Sequence, residues 1–333
     1  MKKFGFFGNP RIQRYRCKQC GKCHSDIPER PLDELRIDLG KGLQCFHMLV
    51  EGVGVRACER LLGISRETVL NILKVGGHKC SRLLDAKLRN IPVEQVQVDE
   101  LYGFVQCKQA NTTADDMERG DQYTYLSLER DTKLIINFLV GKRSRENCGE
   151  FMEDLKDRVT GIFQLSSDGY KGYVGHLGAV FQTFKNDIHY GFEVKHFATD
   201  NKGGDRRSNP VKCQWTKRVP MIGEPDRAMI NISHSERLNL SARLFNRRLT
   251  RLTLGYSKKL ANLKLAMAMF VAHYNFCRPH SSLSKAGQPK RTPAMAAGIT
   301  NRIWKITDLL ELSGDGQNQP LGVESKPASL RMR

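Results

Sequence analysis

Three carboxylates stand out among the 35 acidic residues of this 333-residue chain because of what surrounds them. Asp99 closes the alternating stretch Glu94-Gln-Val-Gln-Val-Asp99-Glu100. There Val96 and Val98 share one strand face, and Gln95, Gln97 and Asp99 share the other. A polar face that ends in a carboxylate suits ligand presentation better than core packing, whereas alternation puts Glu100 on the apolar face. Asp168 ends a second strand pattern, Ile162-Phe-Gln-Leu-Ser, with Gly169 following as a close turn. Glu236 lies in the first turn of a helix opened by Ser233-His-Ser, where an anion is favoured and Ser233 or Ser235 is the expected cap. Glu193, Asp200 and Glu224 compete for this third place but open no amphipathic basic helix. Two Asp and a Glu are hard oxygen ligands suited to Mg²⁺ or Mn²⁺. Two such ions, roughly 3.5–4 Å apart, clamp the attacking and leaving oxygens of an in-line phosphoryl displacement.

The elements that must position these side chains are legible in outline. Two strands, Tyr123–Leu128 and Lys133–Val140, flank a hairpin turn at Glu129–Thr132, and a helix capped by Ser144 shows an apolar stripe of Cys148, Phe151, Met152 and Leu155. Weak strand signals follow at Val180–Phe184 and Gly191–Phe197, then a loop-like stretch from Asn201 to Pro220 with six Lys/Arg and one acid. From Ser233 the pattern predicts one long helix. Glu236, Asn239, Arg243 and Arg247 share one face, and Leu238, Ala242, Phe245, Leu249 and Leu252 form an apolar one. Seven Lys/Arg and no acid lie between Arg237 and Lys259, among them Arg248 and Arg251, a stripe suited to a phosphate backbone. Tyr274-Asn275 and Arg278-Pro279-His280 read as the structural end of a further helix.

Upstream, Val55–Leu73 reads as a helix-turn-helix. Gly63 takes the turn, Ser65 caps the second helix, and Arg66, Glu67 and Thr68 in its first turn would meet a major groove. The alternative is an ordinary helical hairpin, and Glu59 stands where a small residue is usual. The N-terminal cluster Cys17-Lys-Gln-Cys20-Gly-Lys-Cys23-His24 is half of a zinc ribbon. No second CxxC pair lies upstream, so a Zn²⁺ site would have to draw on Cys23 and His24 at cramped spacing. Otherwise the segment is a remnant knuckle or a basic arm.

With 54 Lys+Arg the formal charge is +19, which makes a polyanion the expected partner. The longest run without a polar residue, Leu265–Ala272, is far short of the roughly 20 residues that span a bilayer. No apolar signal core follows the basic N-terminus, and seven scattered cysteines read as reduced thiols of a cytoplasmic, nucleoid-associated protein.

These pieces together resemble the DDE transposases of bacterial insertion sequences, most nearly the insertion-sequence-one family. The resemblance rests on Val-Asp99-Glu-Leu-Tyr, Ser-Asp168-Gly-Tyr and Ser-His-Ser-Glu236-Arg-Leu-Asn-Leu, joined by His273-Tyr-Asn-Phe-Cys-Arg-Pro-His280 and Thr292-Pro-Ala-Met. It covers residues 10–312 and implies an α/β fold with an RNase H-like core, a mixed sheet flanked by helices. It also implies divalent-metal-dependent strand cleavage with 3′-OH transfer, and double-stranded DNA (terminal inverted repeats and target) as partner of a homodimer or higher synaptic assembly. By position, Asp99, Asp168 and Glu236 would ligate two Mg²⁺ or Mn²⁺ ions, with Asn239 and Arg243 supporting them or meeting DNA. The incomplete zinc ribbon departs from the family pattern. The organisation expected is a basic arm over 1–40, a helix-turn-helix over 41–90, a catalytic domain over 91–312 with an insertion at about 173–230, and a disordered tail over 313–333. Two rival readings keep the same residues: a DNA-binding repressor with an inactive core, and an RNase H-like nuclease that cuts without joining.

Overall fold

A computed structural model describes residues 1–7, 12–25, 31–32, 35–113, 115–170, 172–173, 188–197, 213–284 and 289–311. The expected tail over 313–333 and the strand signal at Val180–Phe184 lie outside these residues. At the N-terminus, β1 (Lys2–Phe7), β2 (Ile12–Arg16) and β3 (Cys23–Ser25) form a three-stranded antiparallel sheet. Three helices follow: α1 (Leu39–Val50), α2 (Val55–Leu62) and α3 (Arg66–Lys87). The α2–α3 turn forms as its sequence predicts. Gly63 ends α2 in the left-handed region (φ 61°), and the Ser65 hydroxyl caps α3 by accepting from the Thr68 N–H at 3.1 Å.

The centre of the molecule is a six-stranded mixed sheet. Its strands are β5 (Gln95–Val105), β6 (Gly120–Glu129), β7 (Ile135–Gly141), β9 (Phe163–Asp168), β10 (Ile188–Phe197) and β11 (Cys213–Ile222), in the order β11-β10-β9-β5-β6-β7. A short parallel pair, β4 (Ile91–Pro92) with β8 (Val159–Thr160), stands apart from it. The first three sheet strands run antiparallel as a meander, and β9 and β10 are parallel to β5. α4 (Arg145–Arg158), between the meander and β9, is capped by Ser144, which accepts from the Asn147 N–H at 3.3 Å. Cys148, Phe151, Met152 and Leu155 are all fully buried, the stripe the sequence displays. A mixed sheet of this kind flanked by helices fits an RNase H-like core.

On the C-terminal side lie α5 (Ser233–Phe245), α6 (Leu260–Ala272), a π turn over His273–Cys277, α7 (Pro293–Ala296) and α8 (Ile306–Leu310). α6 is apolar nearly all round and buried, and α3 packs on it where Gly77 meets Leu265. One apolar core runs from Leu32 through the sheet to Leu310. Among the described residues no helix is long and apolar enough to cross a membrane.

Three readings of the sequence are corrected. The loop-like stretch Asn201–Pro220 ends not as loop but as β11, an exposed edge strand paired antiparallel to β10. Its lysines and arginines mask the strand signal because this strand is exposed over most of its length and shows no buried apolar alternation. The helix opened by Ser233 is shorter than its periodicity suggests. It stops at Phe245, and a 3₁₀ turn over Arg247–Leu249 follows. Leu252 has φ 55° and is 80% exposed, so Leu252 does not extend the apolar face, nor Arg247 the Glu236 face. Finally, neither Ser233 nor Ser235 caps this helix.

Candidate metal and nucleic-acid site

The cap of α5 comes from the sheet. Gln97 lies in the middle of β5, 2% exposed, and its side-chain oxygen accepts from the backbone N–H groups of His234 (3.0 Å) and Ser235 (3.1 Å). Its Nε2 donates to Asn231 Oδ1 at 3.0 Å, and that oxygen also accepts from Ser233 Oγ at 2.9 Å. One amide thus satisfies two of the orphan donors of a helix start and anchors α5 to the strand that carries Asp99. The buried stripe of α5 (Ser235, Leu238, Asn239 and Ala242) follows helical spacing. Within it Asn239 reaches back to the sheet and donates from Nδ2 to Asp99 Oδ2 at 2.6 Å. Glu236 occupies the same helix one turn earlier.

β9 delivers Asp168. It pairs parallel with β5 in the register Gln95↔Gln164, Val96↔Leu165, Gln97↔Ser166, which continued by two residues sets Asp168 beside Asp99. The Asp168 carboxylate accepts from the Tyr170 N–H at 3.0 Å, a turn that holds it at the strand end. Carboxylate oxygens of Asp99, Glu100 and Asp168 all lie within 4.8 Å of one another. The expected third member, Glu236, is not in that cluster: its Oε2 is 2.6 Å from Lys195 Nζ of β10, and its side chain is 47% exposed. Lys195 also stands 3.4 Å from the buried Glu193.

Glu100 is the residue that period-two reasoning set aside. Its side chain is 2% exposed, as its position on the Val96–Val98 face requires, yet its carboxylate still reaches Asp168 at the sheet end. Arg143, at the end of the β7–α4 connection, donates to Glu100 Oε2 at 2.8 Å, lies 3.9 Å from Asp168 Oδ2 and stacks over the Tyr170 ring at 3.9 Å. The one signal available was the Asp99-Glu100 pair itself.

This crowding has an electrostatic consequence. Burial, then the charge of Asp168, pushes the Asp99 carboxyl up from its ordinary 3.8 to about 7, with Glu100 and Glu236 adding to the rise. Glu100 is raised as well, again chiefly by burial. Among the described residues, the buried Asn239 Oδ1 has no hydrogen-bond partner, and Glu100 Oε1 makes no well-formed bond, with the Tyr173 hydroxyl its nearest donor by electrostatics. Three converging carboxylates with an orphaned oxygen fit a hard divalent cation, which would supply the opposite charge that Arg143 alone supplies in part.

A second feature lies alongside. A cleft of about 1150 Å³ opens between the start of α2 and the segment after α5. It is lined by seven Lys/Arg (Arg56, Arg60, Arg66, Arg247, Arg248, Lys258 and Lys259) and by no acid. Arg248 is largely withdrawn from solvent with its Nε unbonded, and burial pulls its guanidinium down to about 10. Arg243 is lowered to about 10 too, by burial and by Arg251, while the Asp99 charge opposes the shift. Arg243 thus feels both the Asp99 carboxylate and the Arg251 guanidinium. Of the residues expected to face a groove, Arg66 lines the cleft and pairs with Glu59 at 3.2 Å, and the Thr68 hydroxyl engages Ser65 Oγ at 2.9 Å. Glu67 and Arg251 are exposed.

At the N-terminus, Cys17 and Cys20 sit on a tight turn closed by Gly21 N–H to Cys17 C=O at 3.1 Å. Hydrogen bonds from the backbone of Cys20 and Gln19 hold the Cys17 thiol below its ordinary range. Cys23 and His24 instead pair along β3 with Arg16 and Tyr15. Among the described residues no three of Cys17, Cys20, Cys23 and His24 bring ligand atoms within 4.8 Å of one another.

No protein-family profile and no curated protein matches this sequence. Among solved structures, the Mos1 strand transfer complex is similar at 12% identity over 50% of this chain and 60% of that one, with a TM-score of 0.21. The Mos1 mariner paired-end complex with Mn gives 12% identity, 50% and 61% coverage and a TM-score of 0.19. The chain thus spans about 60% of the length of those chains, and likenesses this weak carry no argument.

Proposed function

We propose that this protein is a DDE-type transposase, an enzyme that uses a divalent-metal site at Asp99 and Asp168 to cut DNA strands and join a 3′-OH to target DNA. The observation that carries the reading is the convergence of two carboxylates from adjacent parallel strands. They come from positions 69 residues apart in sequence, with Asn239 of the Glu236 helix hydrogen-bonded to one of them.

Asp99 and Asp168 would hold the ion in this reading, and Glu236 or Glu100 would complete the set. Bound Mg²⁺ or Mn²⁺ would lower the pKa of a water or 3′-hydroxyl and neutralise the leaving oxygen. The protein's own contribution is placement. Gln97 fixes the start of α5 against β5, which keeps Asn239 on the Asp99 carboxylate and the Glu236 backbone one turn away. Asn239 orients the Asp99 carboxylate by holding one of its oxygens. Arg143 holds Glu100 and Asp168 at the sheet end. Glu236 is paired with Lys195, and the exposure of its side chain would let it turn toward Asp99 to act as a ligand.

DNA lies along the basic cleft with its phosphates on Arg56, Arg60, Arg247 and Lys258, while Arg243, whose charge interacts with Asp99, supports the carboxylates or meets DNA beside them. Terminal inverted repeats and target DNA are the partners, and two chains or more assemble on them.

The test is product analysis. Purified protein is given a pre-cut element end and a supercoiled target plasmid with Mg²⁺, Mn²⁺ or Ca²⁺. Joined products with Mg²⁺ or Mn²⁺ that disappear in Asp168→Asn support the reading. Hydrolysis without joining reduces it to a nuclease, and binding with no cleavage under any metal removes the enzyme from it.

A further inference from the structure

A second group of ligating side chains lies outside the carboxylate site. His47 and Glu51 stand one helical turn apart at the end of α1, four residues being the spacing that stacks side chains on one face. His273 meets them from the other side of the core, at the junction where α6 passes into the π turn. One ligand atom from each of the three lies within 4.8 Å of those of the other two. His273 Nε2 is 3.8 Å from Glu51 Oε1. In a tetrahedral zinc site with bonds of 2.0–2.2 Å, neighbouring ligand atoms stand about 3.4 Å apart. The pair is therefore within a few tenths of an ångström of the spacing a shared ion demands. The His47 and His273 rings are tilted at 60° with centroids 6.3 Å apart, so they are not stacked on one another.

We propose that His47, Glu51 and His273 form a binding site for a first-row transition cation of the Zn²⁺ class, which ties the end of α1 to the end of α6. Two imidazoles and one carboxylate select such a cation over Mg²⁺, which prefers oxygen ligands throughout. The three ligands leave a fourth position for water.

The local structure supports this. His273 is buried, and its Nε2 faces the Glu51 carboxylate at 3.8 Å, where an imidazole nitrogen can offer its lone pair to a shared cation. The π turn that begins at His273 closes with Arg278 N–H to His273 C=O at 3.0 Å, a local widening of the helix of the kind that recurs at functional sites. His47 and the Glu51 carboxylate are exposed enough to admit an ion from solvent. The site would also act at a distance. The residue after Glu51, Gly52, packs so closely on the end of the Glu236 helix that a Cβ there would stand 2.5 Å from the Leu244 carbonyl oxygen. An ion held by Glu51 would thus fix the joint between the α1–α3 helices and α5.

The test uses the full-length chain, stripped of metal and titrated with Co²⁺ by visible absorption, with Mg²⁺ in excess to occupy the carboxylate site. Cys17→Ser removes the thiol knuckle as a source of signal. The parent and Cys17→Ser both bind one Co²⁺ with the d–d spectrum of a nitrogen–oxygen site. His47→Ala and Glu51→Gln, both substitutions of exposed side chains, weaken that binding by more than about 100-fold, beyond the 10–100-fold usual for loss of an outer-shell partner. Binding that is unchanged in both variants, or that vanishes in Cys17→Ser, overturns the proposal. So does a parent that binds no Co²⁺.

Discussion

Replacing Asp99 by asparagine should make the metal-free protein more stable, by an amount that grows as pH rises from about 4 to about 7. Asp99 titrates at about 7 in the folded chain and near 3.8 in the unfolded one. A group whose folded pKa is raised binds its proton more tightly when folded. Its stabilising contribution is complete below pH 3.8 and is lost as pH climbs to about 7. Held ionised at pH 8, the buried carboxylate opposes folding by on the order of 4 kcal/mol. Asp99→Asn removes that charge while keeping shape. The new amide oxygen can accept from the Glu100 N–H, as Asp99 Oδ1 does, and the new amide N–H can donate to the unpartnered Asn239 Oδ1 once Asn239 flips. The assay is urea unfolding in chelator from pH 4 to pH 8, followed at two spectroscopic probes. The variant should exceed the parent by about 2–4 kcal/mol at pH 8, converge with it near pH 4, and lose its advantage when saturating Mg²⁺ stabilises the parent. A variant that is less stable than the parent by the same amount at every pH would show that the carboxylates do not repel one another, and the reasoning fails.

Further outcomes follow from the same geometry. Gln97→Leu leaves the His234 and Ser235 N–H groups without their acceptor. It should cost about 1–3 kcal/mol in urea unfolding and lower strand cleavage further than stability alone explains, by displacing Glu236 and Asn239. Lys195→Met releases Glu236 from its ion pair, so Mn²⁺ should bind more tightly by calorimetry. Glu236→Gln should weaken binding more than Glu100→Gln if Glu236 is the third ligand, and the reverse order assigns Glu100. Arg56→Ala with Arg60→Ala removes two cations from the basic cleft. The slope of log K against log salt for duplex DNA should fall by about 0.9 for each phosphate left without its cation, with little change in Mn²⁺ affinity. Asn275→Leu removes the amide that donates to the Ile135 carbonyl at 2.8 Å and accepts from its N–H at 3.0 Å. It should destabilise by about 2–4 kcal/mol, as expected for two buried backbone groups left unpaired, without altering the salt dependence of DNA binding.

Local rules carried the sequence reading a long way. The Ser65 and Ser144 caps, the Gly63 turn, the buried α4 stripe and the strand that ends at Asp168 all depend on residues within a few positions of one another, and these formed as read. What escaped depends on distance. No periodicity shows that a helix at Ser233 is capped by Gln97, 136 positions upstream, and serines at the right spacing gave a false local answer. Alternation puts Glu100 on the correct face, but the approach of its carboxylate to Asp168 depends on β9 ending beside the middle of β5. The basic run after Arg237 looks like one helix face because charge spacing continues past Phe245. The chain instead breaks there, and its arginines gather with those of α2 and α3 around one cleft.

The most direct measurement is the anomalous scattering of Mn²⁺ in crystals of the protein soaked with that ion. The account predicts a peak between the Asp99 and Asp168 carboxylates that is lost in Asp168→Asn. Crystals saturated with Mn²⁺ that scatter elsewhere, and show nothing between those two side chains, would contradict it.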